Sequence, residues 1–213
     1  MKKKIIAGLA MVLIVTMAVV GTYAYLTDKT TTVTNTFTVG DVQIELDEAK
    51  VDAYGVADTT ATKRVTENTY KLIPGHEYTK DPIVHVLKDS EACYVFIKVV
   101  DPLANLEDTT TIAAQITSAT NGWTEYTAGS TTAYKVYYKQ VSAEDAAAGK
   151  DLPVFATFKL KQDADVSSFA TGGTNAGKAI EVTAFAIQSD GISGEAAAFT
   201  AIKNAYSDAF PTP

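Results

Sequence analysis

ACYVFIKVV, residues 92–100, is the stretch that decides the fold. Cys93, Val95, Ile97 and Val99 fall on one face of an extended chain, and Tyr94, Phe96 and Lys98 on the other. β-branched and aromatic side chains suit a pleated surface, and Asp101-Pro102 ends the run because proline has no amide to donate. The pattern predicts a central strand.

Working outward, Ile180–Gln188 (IEVTAFAIQ) is nearly continuous in apolar character and predicts another central strand. Ala133–Gln140 (AYKVYYKQ) predicts a tyrosine-rich strand. Val154–Lys161 (VFATFKLK) sets Val154, Ala156, Phe158 and Leu160 against Phe155, Thr157 and two lysines. Upstream, Val42, Ile44 and Leu46 alternate with Gln43 and Glu45. Ile83–Leu87 follows Pro82, a residue that belongs at a strand start or a sheet edge. Thr69–Ile73 reads as a short strand ending at Pro74-Gly75, the residues of a type II turn. Asn121-Gly122 ahead of Trp123–Tyr126 is a hairpin-like signal.

Three stretches read as helical: one or two turns in Leu103–Thr117, a turn in Ser142–Gly149 stopped by its glycine, and an amphipathic Ala196–Tyr206. Asp47–Arg64 and Ser167–Gly177 read as loops. Short strands with long excursions and no βαβ rhythm predict an all-β protein. The expected architecture is an antiparallel β-sandwich of jelly-roll (immunoglobulin-like) type with short helical excursions, preceded by an N-terminal signal helix.

The 213 residues are 46% hydrophobic and 20% charged, which suits a cored domain and not a disordered chain. The net charge of −7, without a basic stripe, argues against nucleic acid and anionic lipid as partners. Lys2, Lys3 and Lys4 precede the apolar run Ile5–Val20, and Thr22-Tyr23-Ala24 offers small-x-Ala before a cut. This is the layout of a secretory signal, with cleavage expected between Ala24 and Tyr25; an uncleaved anchor is the alternative. The expected division is a signal peptide at 1–24, an extended arm at 25–40 and a β-sandwich domain at 41–213. Membrane contact is expected only before cleavage, since AFPTP at the end lacks the LPxTG pattern.

In the arm, Thr30–Thr38 carries six threonines around Val33 and Phe37. Val33, Asn35, Phe37 and Val39 share one parity, so the arm suits addition to a sheet but is too sparse in large apolar residues to nucleate one.

The stretches GTYAYLTD, NTFTVGDVQIEL, KLIPGHEYTKDPIVHV, SEACYVFIKV and VTAFAIQSDG occur in this order from residue 21 to about 191. Together they resemble the TasA/camelysin (CalY) family. The resemblance implies export by a Gram-positive bacterium through a SipW-type signal peptidase, to the extracellular matrix or cell surface. It also implies a jelly-roll subunit of biofilm matrix fibres, whose mature N-terminal arm is donated to the sheet of the next subunit. Carried over, the donor-strand interface comprises Leu26, Val33, Asn35, Phe37 and Val39. The partners implied are copies of the same chain in a homo-polymer, with an accessory or anchoring matrix protein.

Camelysin brings a second label, cell-surface metallopeptidase. A catalytic zinc takes about three protein ligands and an open position. The chain has two histidines, His76 and His85, and His76-Glu77 lacks the second histidine of HExxH. No phosphate loop, GxSxG or SxxK context is present. Cys93, the single cysteine, reads as an inward-facing core thiol. Asp41, Asp47 and Glu48 form an acidic group without calcium-loop spacing. The expectation is therefore a structural protein without catalytic, cofactor or metal residues. A surface metallopeptidase and a secreted binding module that never polymerises stand as the competing readings.

Overall fold

The structure, a computed structural model, describes residues 27–30, as backbone, and residues 42–211. The signal, the Ala24–Tyr25 cleavage site and the arm residues Leu26, Val33, Asn35, Phe37 and Val39 lie outside the described residues. The chain folds as an all-β protein. Among the described residues ten strands run in order: β1 (Thr27–Thr30), β2 (Ile44–Asp47), β3 (Glu77–Thr79), β4 (Ile83–Val86), β5 (Cys93–Val100), β6 (Thr124–Glu125), β7 (Lys135–Val141), β8 (Lys150–Pro153), β9 (Thr157–Lys159) and β10 (Glu181–Gln188). The α-helices among the described residues are short: α1 (Ile112–Ile116), α2 (Ala143–Ala148) and α3 (Gly194–Ala205).

All pairings between these strands are antiparallel. A five-stranded sheet has the order β1-β10-β5-β7-β6, a three-stranded sheet β2-β4-β8, and β3 pairs with β9. β5 is central, as ACYVFIKVV predicts. Its Cys93, Val95, Ile97 and Val99 join Ala184 and Ala186 of β10 in a core shared with Ile44, Val84, Val86 and Leu152 of the smaller sheet.

The opposite face of β5 is buried too. Tyr94 and Phe96, with Phe185 and Ile187, pack beneath Ala198, Phe199 and Ile202 of α3 and beneath Phe210. Phe199 lies 5.5 Å from Phe96 and 5.1 Å from Phe210, and Phe210 lies 4.9 Å from Phe185, ring centre to ring centre. Such aromatic contacts are each worth about 0.5–1.5 kcal/mol beyond burial. The predicted amphipathic helix is thus α3, and it roofs a second core.

Local chemistry places the smaller elements. Ser142 Oγ accepts from Asp145 N at 3.2 Å to start α2, and Gly149, at φ +85°, ends it. Pro74-Gly75 forms the predicted turn, with Gly75 at φ +76° and His76 N donating to Ile73 O at 3.1 Å. Of Leu103–Thr117 only α1 is α-helical, started by Thr111 Oγ1 accepting from Ala114 N.

Three expectations are corrected. Val154–Lys161 is not one strand: β8 ends before it and β9 starts within it. Val154 and Phe155 are both buried and Ala156 is exposed, so the alternation slips where the chain passes between sheets. Asn121-Gly122 makes no hairpin; Gly122 donates to Ser118 O at 2.7 Å and closes the chain leaving α1. Thr69–Ile73 belongs to no sheet.

Candidate functional site

β1 lies on the outer edge of β10, Thr27 opposite Ile187 and Thr30 opposite Ala184. Ala184, Phe185, Ala186 and Ile187 are all 0% exposed, a burial more usual for an interior strand than an edge. β10 therefore carries one of the two main cores on each face and a four-residue strand on its edge. The opposite end of the same sheet is closed by the two-residue β6.

Around the smaller sheet, the acidic group read from the sequence is neutralised by protein cations. Arg64, the only arginine of the chain, bonds Asp47 through Nε at 2.5 Å and Asp81 through Nη1 at 3.0 Å. Its Nη2 also donates to Asp81 O at 2.7 Å. Glu48, 4% exposed, pairs with Lys80 at 2.5 Å and accepts from Asn68 Nδ2 at 2.8 Å. Asp41, the third member of the group, lies outside the described residues.

His85 sits on β4 with Nδ1 2.6 Å from Asp151 Oδ1 and Nε2 3.1 Å from Asp47 Oδ1. Burial alone would lower its pKa; the hydrogen bonds and charges of Asp151 and Asp47 outweigh that and raise it. His76 Nε2 is 2.9 Å from Tyr54 O, and its ring packs edge-on against Tyr78. Cys93 is fully buried, and burial pushes its thiol up to about 12, the condition of an unreactive core sulfur.

A second buried acid pair was not legible in the sequence. Glu107, 3% exposed, accepts from Ile112 N at 3.1 and 3.2 Å and shares a hydrogen bond with Asp101. Burial, and then the charge of Asp101, push Glu107 up to about 7, so that it keeps a proton where an ordinary glutamate has none. The only advance signal is two acids flanking Pro102–Leu106.

Residues 1–67 match the model of the family described as camelysin metallo-endopeptidase. No curated protein matches the chain, and no solved structure does. The family description implies a metal. Both ring nitrogens of His85 are engaged by carboxylates, one of which also holds Arg64, and the nitrogen of His76 is engaged by a carbonyl. Among the described residues no three His, Cys, Asp or Glu side chains converge as a metal site. This donor set does not fit a zinc centre. The match covers 67 of the 213 residues and includes the motifs GTYAYLTD and NTFTVGDVQIEL; over that stretch the chain is similar to the camelysin family.

Proposed function

We propose that this chain is a secreted structural subunit of extracellular matrix fibres, assembling by donation of its N-terminal arm to a neighbouring copy. The observation that carries the reading is β1 on the edge of β10. Four residues of the arm pair by backbone with an otherwise open edge of the main sheet, and the same edge can be completed by the arm of another copy. The two arrangements make similar bonds, so they lie close in free energy and concentration or a template tips assembly. In this reading Ala24–Tyr25 is cut during export, residues 25–40 are the donor, and Val33, Phe37 and Val39 anchor one face of the arm. The reading contains no peptidase chemistry.

Electron microscopy of purified mature protein, with and without residues 25–38, tests it. The intact protein is expected to form fibres, and the truncated one to stay folded and unpolymerised. A synthetic peptide of residues 25–38 is expected to block growth, and Phe37→Ala to weaken it more than Thr36→Ala. Fibres formed equally well by the truncated protein would refute arm donation. Casein cleavage that is abolished by a chelator would favour the metallopeptidase reading instead.

A further inference from the structure

A groove of about 670 Å³ opens beside β9 and is lined by no residue of β1 or β10. One wall is the segment Asn68–Leu72, all five of whose residues line it. Buried Leu103 and Phe158 contribute to its lining, and so do half-buried Val166, Phe169 and Ile180.

The wall at 68–72 has the features of a strand without a neighbour. Asn68, Tyr70 and Leu72 are half-buried while Thr69, Lys71 and Ile73 are exposed, the period of two of an extended chain. The odd positions are tied down. Lys71 N donates to Ala53 O at 2.7 Å, Tyr78 Oη donates to Lys71 O at 2.6 Å, and Ile73 N donates to Tyr78 Oη at 2.7 Å. The backbone N–H and C=O of Tyr70 and Leu72 have no partner among the described residues. In an extended chain these groups point to the side opposite those of Lys71 and Ile73. Thr69–Ile73, which reads as a strand from sequence, is therefore a strand lacking its pair.

Charge narrows the occupant. Lys71, Lys80 and Lys178 line the groove and no Asp or Glu does, in a chain of net charge −7. Lys80 is committed to Glu48, but Lys71 and Lys178 are exposed. The arm of this chain is a poor complement, since Tyr25–Thr38 holds one acid, Asp28, beside Lys29.

We propose that this groove binds an extended acidic peptide of a partner protein, which pairs by backbone with Tyr70 and Leu72 and sets alternate apolar side chains against Leu103, Phe158 and Phe169. Five lining residues give a paired length of roughly 17 Å, enough for a strand of about five residues. The flanking carboxylates face Lys71 and Lys178. Affinity comes from main-chain bonds and apolar burial, and register from the alternation.

The test titrates the full chain with the acetylated, amidated heptapeptides EVTVTVE, EVTFTVE and ELTLTLE, following amide hydrogen exchange by NMR. At least one peptide is expected to bind saturably and to slow exchange at Tyr70 and Leu72 about tenfold or more. The same peptide N-methylated at its inner threonines is expected not to bind. Lys71→Glu with Lys178→Glu, both at exposed positions, is expected to weaken binding about tenfold, and Phe169→Ala to weaken it without charge change. The proposal is overturned if no peptide binds, if N-methylation leaves binding intact, or if Tyr70 and Leu72 stay unprotected. Decanoate binding equally well at the same residues would overturn it in favour of a pocket for small amphiphiles.

Discussion

Two pairs of acids, each with one buried and one half-buried member, are neutralised in opposite ways. Asp47 and Glu48 meet fixed cations, Arg64 and Lys80, with His85 as a third. Asp101 and Glu107 face each other instead, and burial keeps a proton on the pair. A buried carboxylate needs a counter-charge or a proton, because desolvation of a bare charge costs several kcal/mol. The first solution works wherever the acids are ionised. The second works only while a proton is available, so it makes stability depend on pH.

The largest test of this contrast is Lys80→Met, which leaves Glu48 charged and almost fully buried. A loss of about 3–5 kcal/mol in denaturant unfolding at pH 7 is expected, with most of it recovered when Glu48→Gln is added. No recovery in the double variant would mean that Lys80 acts by packing alone.

Glu107→Gln is expected to act in the other direction. The folded-state pKa is raised from 4.5 to about 7, so the folded chain holds the extra proton between those values. Its stabilising effect is complete below 4.5 and is lost as pH rises through 7. Glutamine imitates the protonated acid at every pH. The variant should therefore gain about 1–3 kcal/mol over the parent at pH 8 and nothing at pH 4. Equal effects at both pH values would end the shared-proton account.

Arg64→Ala exposes Asp47 and Asp81 to water that already reaches both, so the loss should be smaller, about 1–2 kcal/mol at pH 7. High salt should narrow the difference. Smallest is His85→Gln. The raised pKa of His85 means that its charged form stabilises the fold below 6.5 and that this contribution fades as pH rises through the folded value. A cost of about 0.5–1 kcal/mol is expected at pH 5.5, and nearly none at pH 8.5. A larger cost at the alkaline end would reverse the assignment of His85 as an imidazolium.

The sequence was informative wherever the deciding interactions are local. Ser142 and Gly149 bound α2, Pro74-Gly75 forms its turn, and the alternation of ACYVFIKVV identifies β5. It was silent where the partner is distant. Lys80 meets Glu48 across 32 positions, and the Gln115 amide bridges to Thr157 O across 42. The slip at Phe155 shows the same limit: a parity rule holds only while one sheet governs the chain, and here the chain changes sheets. Parity also could not tell that the Tyr94 face of β5 is covered, because the cover, α3, lies about a hundred residues away. Of the candidate site, the edge of β10 that β1 occupies was not legible. The groove at 68–72 left a trace, a predicted strand whose missing partner only the fold reveals.

The pairing of β5 with β10 also sets the order in which the chain can fold. Cys93 faces Gln188 and Val100 faces Glu181, and each main core has this pair as its wall. Until residue 188 has emerged, neither core has its β10 wall, however much of the chain precedes it. Closing so long a loop is slow, as it is for non-local β topologies generally. Once closed, the pair links both cores, so that loss of either exposes the other and the domain melts as one unit. Val95, Phe96 and Ile97 should then be the last amides to exchange. A chain that stays open until residue 188 has emerged is also one that can be threaded through a translocation channel before it folds, as the proposed export route requires.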